Sequence, residues 1–275
     1  MVKVIATDLD GTLLAPKRVF SLVASENKKF INNYYGDIVL VSGRNPRFCA
    51  KICNKLNIHH NFIALNGAVV VKEGNVIYNQ SMKKVALTAL LEFLEHYYTD
   101  FELMIFTEYD EILSYSPCSV SKLKRKHFKH WLKNFRLHEK IIINKKKFLK
   151  YLNDDTAICK AIVYSPNSDD LYSLISKEFK SHFSFFCCST SVEISPIGVN
   201  KGKALEYLIN TTNLTKDDVA FVGDSANDIP AFELFKNSYV MDSARTYVKA
   251  KAKHSIKKFS DLSKYTSVKN NFKED

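Results

Sequence analysis

Val2-Lys3-Val4-Ile5-Ala6-Thr7-Asp8-Leu9-Asp10-Gly11-Thr12-Leu13-Leu14 is the stretch on which the fold turns. Val2 to Thr7 is apolar and β-branched, as a short buried strand requires, and the run stops at Asp8. Two carboxylates two positions apart on extended backbone point to opposite faces. At a strand end that turns through Gly11, both can reach one ligand. The same pattern returns at Ile38 to Val41, ahead of Ser42-Gly43-Arg44, and at Val219 to Val222, ahead of Gly223-Asp224-Ser225-Ala226-Asn227-Asp228. Phe62 to Leu65 reads as a further strand. Helical signals lie between: Phe20 to Tyr34, a helix to Leu56 with Asn45 as N-cap and Pro46 at N1, and Lys201 to Asn210, which opens on Asn200-Lys201-Gly202. Strands alternating with helices predict an α/β, Rossmann-like core, a parallel sheet with helices on both faces. Such sheets hold ligands beyond the carboxyl ends of their strands.

At 275 residues the chain exceeds one ordinary domain. Glycine locates the insertion. Only eight glycines occur, Gly11, Gly36, Gly43, Gly67, Gly74, Gly198, Gly202 and Gly223, so none lies between 75 and 197. A chain this sparing of glycine places it where the backbone needs positive φ or close approach to a ligand. The two glycine-bearing ends are therefore expected to share one site, and the middle to be an insertion. That middle holds a long amphipathic helix (Val85 to Tyr98), strands at Phe101 to Phe106, Ile112 to Tyr115, Ile158 to Tyr164 and Phe183 to Cys188, and a helix at Asp170 to Phe179. It reads as an α+β unit of its own. Alternation resumes with a strand at Val192 to Ile194, so the expected division is 1–80 and 190–275 for the core and 81–189 for the inserted unit.

Lys plus Arg number 40 against 29 Asp plus Glu, a net charge of +11, but the excess is local. Residues 121–150 carry twelve of the basic residues and a single acid, Glu139, which leaves 28 of each sign elsewhere. A surface coated for nucleic acid is therefore disfavoured, and one basic segment remains to be explained. It is expected to form an amphipathic helix that buries Phe128, Trp131, Leu132 and Phe135, or to offer a positive surface that draws in anionic substrates. Hydrophobic and charged contents of 46 % and 25 % are those of a folded globular chain. No apolar run approaches the roughly 18 to 20 residues that span a bilayer, and Asp8 cuts short any signal-like stretch. The six cysteines form no CxxC pair, which fits reduced thiols and a cytoplasmic location.

Brought to one sheet edge, Asp8, Asp10 and Asp224 would repel one another unless a hard cation lay among them. An all-oxygen set of this kind suits Mg²⁺. Lys201, the Ser42 hydroxyl and the Asn227 amide are donors that balance a phosphate group. A carboxylate nucleophile, a divalent cation and donors to phosphate oxygens together describe phosphoryl transfer through an aspartyl-phosphate.

The strings DLDGTLL (8–14), VSGR (41–44), LNGA (65–68), EISPIGVNKGKAL (193–205) and GDSANDIPAF (223–232) make the chain resemble the haloacid dehalogenase (HAD) superfamily. Within it, the order and spacing are similar to those of Cof-type phosphatases, which carry a large C2B-type cap between the second and third motifs. The resemblance spans the whole chain. It implies a HAD core and a cap that acts as a lid and selects the substrate. It implies Asp8 as nucleophile and metal ligand, and Asp10 as acid and then base, with its backbone carbonyl on the metal. Asp224 would be the third metal ligand and Asp228 would stand behind it. Ser42, Lys201 and Asn227 would hold phosphate oxygens, with backbone N–H groups of Gly11 and Gly43 nearby. Toward the C-terminus the chain departs from the pattern: Met241-Asp242-Ser243-Ala244 and Phe259-Ser260-Asp261-Leu262 replace Met-Gly-Asn-Ala and Asn-x-Glu-Asp-Gly-Val.

The activity so implied is Mg²⁺-dependent hydrolysis of small phosphomonoesters. The partner is a small phosphorylated metabolite, such as a sugar phosphate or nucleotide, and the enzyme a monomer or weak dimer with no membrane or nucleic acid involved. A sugar phosphomutase with the same aspartyl-phosphate chemistry is the alternative. A nucleic-acid-binding protein with an inactive phosphatase core is the remoter one, and the intact Asp8, Asp10, Lys201 and Asp224 argue against it.

Overall fold

Short runs rich in β-branched residues build the first sheet and are buried in its central strands. Its strands are β1 (Val4–Thr7), β2 (Asp37–Val41), β3 (Phe62–Ala64), β4 (Val69–Lys72) and β5 (Asn75–Asn79), then β12 (Val219–Gly223), β13 (Asn237–Met241) and β14 (His254–Ile256). Their spatial order is β14-β13-β12-β1-β2-β3-β4-β5. The five pairings from β14 through to β3 are all parallel, and β3 to β4 is antiparallel. Every residue of β1 is buried, as expected of a central strand covered on both faces.

The computed structural model describes residues 2–14, 23–108, 110–118, 121, 123–124, 126–127, 139–188 and 190–266. Two units form, Met1–Ile77 with Lys201–Asp275, and Tyr78–Asn200. Among the described residues, no helix is long and apolar enough to cross a membrane.

In the first unit, helices α1 (Ser25–Asn33), α2 (Pro46–Leu56), α6 (Lys201–Asn210), α7 (Ile229–Leu234) and α8 (Thr246–Lys249) connect the strands and cover both faces of the sheet. The sequence specifies α2 closely. Asn45 Oδ1 accepts the Phe48 N–H at 2.8 Å, Pro46 sits in the first turn, and Asn57 ends the helix at φ 54. Phe48, Cys49, Ile52, Cys53 and Leu56 form its buried face. Burial pushes the Cys53 thiol up to about 12, so this cysteine pair packs as a core face, and none of the six cysteines forms a disulfide.

The second unit is a six-stranded sheet in the order β10-β11-β9-β6-β7-β8, from β6 (Glu102–Thr107), β7 (Ile112–Tyr115), β8 (Ile141–Ile142), β9 (Ile158–Tyr164), β10 (Phe183–Cys187) and β11 (Ser191–Pro196). Helices α3 (Lys84–Tyr97), α4 (Lys145–Asn153) and α5 (Ser168–Phe179) supply Leu90, Leu94, Phe148, Leu171 and Ile175 to its core, which also takes in Leu103, Ile105 and Val163 from the strands. Here the structure corrects a boundary. The strand at 191–196, expected to reopen the first unit, pairs antiparallel with both β9 and β10. The insertion therefore runs from Tyr78 to Asn200, wider at both ends than 81–189. Local alternation marks a strand but says nothing of which sheet receives it.

Phe128, Trp131, Leu132 and Phe135 of the basic segment lie outside the described residues. Two of the lysines in that segment have specific acidic partners. Lys126 Nζ and His127 Nε2 reach buried Glu102 at 2.6 and 2.5 Å, joined by Ser114 Oγ at 2.6 Å, and Lys147 pairs with Glu111 at 2.6 Å. Burial alone would raise the Glu102 carboxyl, but the three donors outweigh it and hold it down to about 2.

Candidate active site

The loops that follow β12, β1, β2 and β3 leave one edge of the sheet side by side, because these four neighbouring strands run parallel. Asp8 is the first residue past β1. Its N–H still donates to the Val222 carbonyl (2.8 Å), so the side chain starts where the ladder stops. Gly11 then turns the chain at φ 84.

Lys201, the first residue of α6, is buried between two acids. Its Nζ donates to Asp8 Oδ1 and to Asp228 Oδ1, each at 2.7 Å. Gly202 makes this possible, since a Cβ there would lie 2.4 Å from the Pro230 carbonyl oxygen and push α6 off the loop that carries Asp228. The other oxygen of Asp228 accepts the N–H groups of Asp224 and Ser225 at 2.9 and 3.0 Å. A fully buried carboxylate thus orients both the lysine and the Asp224 loop.

Asp8, Asp224 and Asp228 bring carboxylate oxygens within 4.8 Å of one another. Burial, then the neighbouring acids, push Asp224 up to about 7. Asp8 is also raised well above the ordinary carboxylate range, by burial first and against the pull of Lys201. Desolvation would lower the Lys201 ammonium, but Asp228 and Asp8 outweigh it and raise it above its ordinary value. Asp224 Oδ1 is buried and has no hydrogen-bond partner among the described residues. An orphaned carboxylate oxygen amid three acids and one ammonium is a donor set that fits a hard divalent cation.

The remaining expected residues fall around this cluster. Ser42 is buried, and its Oγ accepts the Arg44 N–H at 3.2 Å; capping of α2 falls to Asn45 instead. Gly43 lies between Ser42 and Arg44, half-buried. Asn227 is buried, donates through Nδ2 to Asn66 Oδ1 at 3.1 Å and accepts at Oδ1 from Ser225 Oγ at 3.0 Å. The Asp10 carboxylate is turned instead toward Arg44, whose Nε and Nη2 donate to its two oxygens at 2.6 and 2.8 Å.

Arg44 and Asn66, which stand in the VSGR (41–44) and LNGA (65–68) strings, join the site through contacts that the sequence does not announce. The signal for Asn66 is the Asn-Gly pair: Asn66 holds φ 60, a left-handed conformation that Asn tolerates. Its N–H donates to the Ser42 carbonyl at 3.0 Å, so it links the Ser42 loop to Asn227.

The family model for haloacid dehalogenase-like hydrolases matches residues 5–263. The chain is 26 % identical over 271 residues to the 5-amino-6-(5-phospho-D-ribitylamino)uracil phosphatase YwtE of Bacillus subtilis (strain 168), covering 91 % of each. It is 22 % identical over 258 residues to a phosphatase of the same name, YcsE, from that organism, covering 91 % of this chain and 88 % of that protein. The HAD subclass IIB sugar phosphatase BT4131 superposes with a TM-score of 0.80 at 17 % identity, over 96 % of this chain and 98 % of that one. SMU.1108c from Streptococcus mutans UA159 superposes with a TM-score of 0.76 at 20 % identity, over 95 % of each. The chain belongs to the haloacid dehalogenase-like hydrolases, and is an enzyme of that family.

Proposed function

We propose that this enzyme hydrolyses small phosphomonoesters with Mg²⁺ as cofactor, through an aspartyl-phosphate on Asp8. The observation that carries the reading is the environment of Asp8. It is a buried carboxylate at a strand end, one oxygen is held by Lys201, and no hydrogen bond reaches the other among the described residues. That oxygen attacks phosphorus and the ester P–O bond breaks. Asp10 gives a proton to the leaving alkoxide, then takes one from the water that breaks the new Asp8 O–P bond and releases inorganic phosphate. The Ser42 hydroxyl, the Gly43 N–H, the Lys201 ammonium and the Asn227 amide hold the phosphate oxygens. Asp8, Asp224 and the Asp10 carbonyl would hold Mg²⁺, with Asp228 behind, and the bound ion would offset charge on the phosphate.

In this reading the inserted unit, residues 78–200, is the cap, and the choice among phosphorylated metabolites rests with it. Sugar phosphates, nucleotides and a phosphoribitylamino-pyrimidine are the first substrates to try. The test of the chemistry is Asp8→Asn, which should abolish Mg²⁺-dependent release of phosphate from p-nitrophenyl phosphate while circular dichroism stays unchanged. Full activity in that variant rules out the aspartyl-phosphate route. Phosphate returned to sugar instead of released would favour a mutase.

A further inference from the structure

Backbone, ring and carboxylate contacts all hold Arg44. Its N–H donates to Ser42 Oγ at 3.2 Å, and its carbonyl accepts the Leu65 N–H at 3.0 Å. Its guanidinium carbon lies 4.8 Å from the centroid of the Phe48 ring, and Phe48 is itself fixed in the first turn of α2 by the Asn45 cap. From that seat, Nε and Nη2 donate in parallel to both oxygens of Asp10.

Asp10 needs such a partner. Its side chain is 46 % exposed, and Gly11 follows it at φ 84, so packing alone does not choose its rotamer. A single contact would leave the carboxyl free to swivel, whereas a planar guanidinium fork fixes its position and its plane together. We propose that Arg44 is the positioning residue of Asp10: seated on Phe48, it holds the Asp10 carboxyl in the orientation from which a proton passes to or from the reacting oxygen. This rests on the reading of Asp10 as acid and base, and adds to it a residue that acts through Asp10 and not on the phosphate. The geometry also says why arginine is needed. A lysine ammonium is a point charge with no fork and no flat face for the Phe48 ring.

The test compares wild type, Arg44→Gln, Arg44→Lys, Asp10→Asn and the Arg44→Gln/Asp10→Asn double variant in Mg²⁺, on p-nitrophenyl phosphate and on an alkyl phosphate. A misplaced proton carrier should lower kcat by roughly 10- to 100-fold in both Arg44 variants, with KM held within about two-fold. The fall should be steeper on the alkyl phosphate, whose leaving group needs the proton more, and should vanish in the Asp10→Asn background. Thermal melting checks folding, and should Arg44→Gln not fold, Arg44→Lys and Phe48→Leu carry the same comparison. Three results overturn the proposal: an unchanged kcat, a raised KM with kcat preserved, or a loss that persists in full on top of Asp10→Asn. A wild type that hydrolyses no phosphomonoester overturns the parent reading and this one with it. An active wild type with an indifferent Arg44→Gln overturns this one alone.

Discussion

Gly11 and Asp224 meet at a distance that only glycine permits: a Cβ on Gly11 would lie 2.1 Å from Asp224 Oδ2. Gly11 also holds φ 84, where side chains are strained. The loop after β1 therefore closes directly over the acid that follows β12, and the two strands are hydrogen-bonded neighbours from Val4↔Val219 to Thr7↔Val222.

Gly11→Ala and Gly74→Ala separate the two costs. Gly74 has φ 81 but nothing within 4 Å of a built Cβ, so alanine there should cost only about 1 kcal/mol of backbone strain and no activity. Gly11→Ala should cost at least as much stability and displace Asp224, with a loss of phosphatase activity of about 10-fold or more. Melting curves and initial rates on the two variants make the comparison. Equal, undiminished rates would mean that the closeness of Gly11 to Asp224 has no bearing on the reaction.

Lys201→Met keeps the volume of the side chain but removes the cation shared by Asp8 and Asp228. Two buried carboxylates then lose their partner, and stability in urea at pH 7 should fall by about 3 to 5 kcal/mol. Adding Asp8→Asn should recover part of that loss, because one of the uncompensated charges disappears. A loss below about 1 kcal/mol, or no recovery in the double variant, would show that the pairings contribute little.

The raised carboxyls set a pH dependence. Unfolded Asp titrates near its ordinary value of 3.8 and folded Asp224 near about 7, so between these limits the folded state holds the extra proton. In a chelator, the favourable contribution is complete below the lower value and is lost as pH rises toward 7. The slope is at most about 1.4 kcal/mol per pH unit for one group, and Asp8 adds to it in the same sense. Mg²⁺ competes with that proton, so the rise in melting temperature on adding Mg²⁺ should grow from pH 5 to pH 8. Asp224→Asn should flatten both trends. A Mg²⁺ effect as large at pH 5 as at pH 8 would contradict the assignment of the metal to these acids.

Local chemistry made much of the core legible. The apolar run ending at Asp8, the Asn45-Pro46 start of α2 and the strand ending at Gly223 are each decided within a few residues, by β-branching, capping and turn formation. The second unit was legible as a separate α+β insertion, but its far boundary was not. The strand at 191–196 has the same alternation whichever sheet receives it, and only pairing with β9 and β10 decides.

The sequence by itself determined the acids, the strand ends that carry them and the family to which they point, because those depend on neighbours along the chain. The tertiary structure alone decided how they are joined. Lys201 serves Asp8 across 193 positions and Asp228 across 27, Asn66 supports Asn227 across 161, and Arg44 grips Asp10 across 34. Those partnerships come from the order of the parallel strands and from the close approach that Gly11 and Gly202 allow, and no residue-by-residue propensity encodes either.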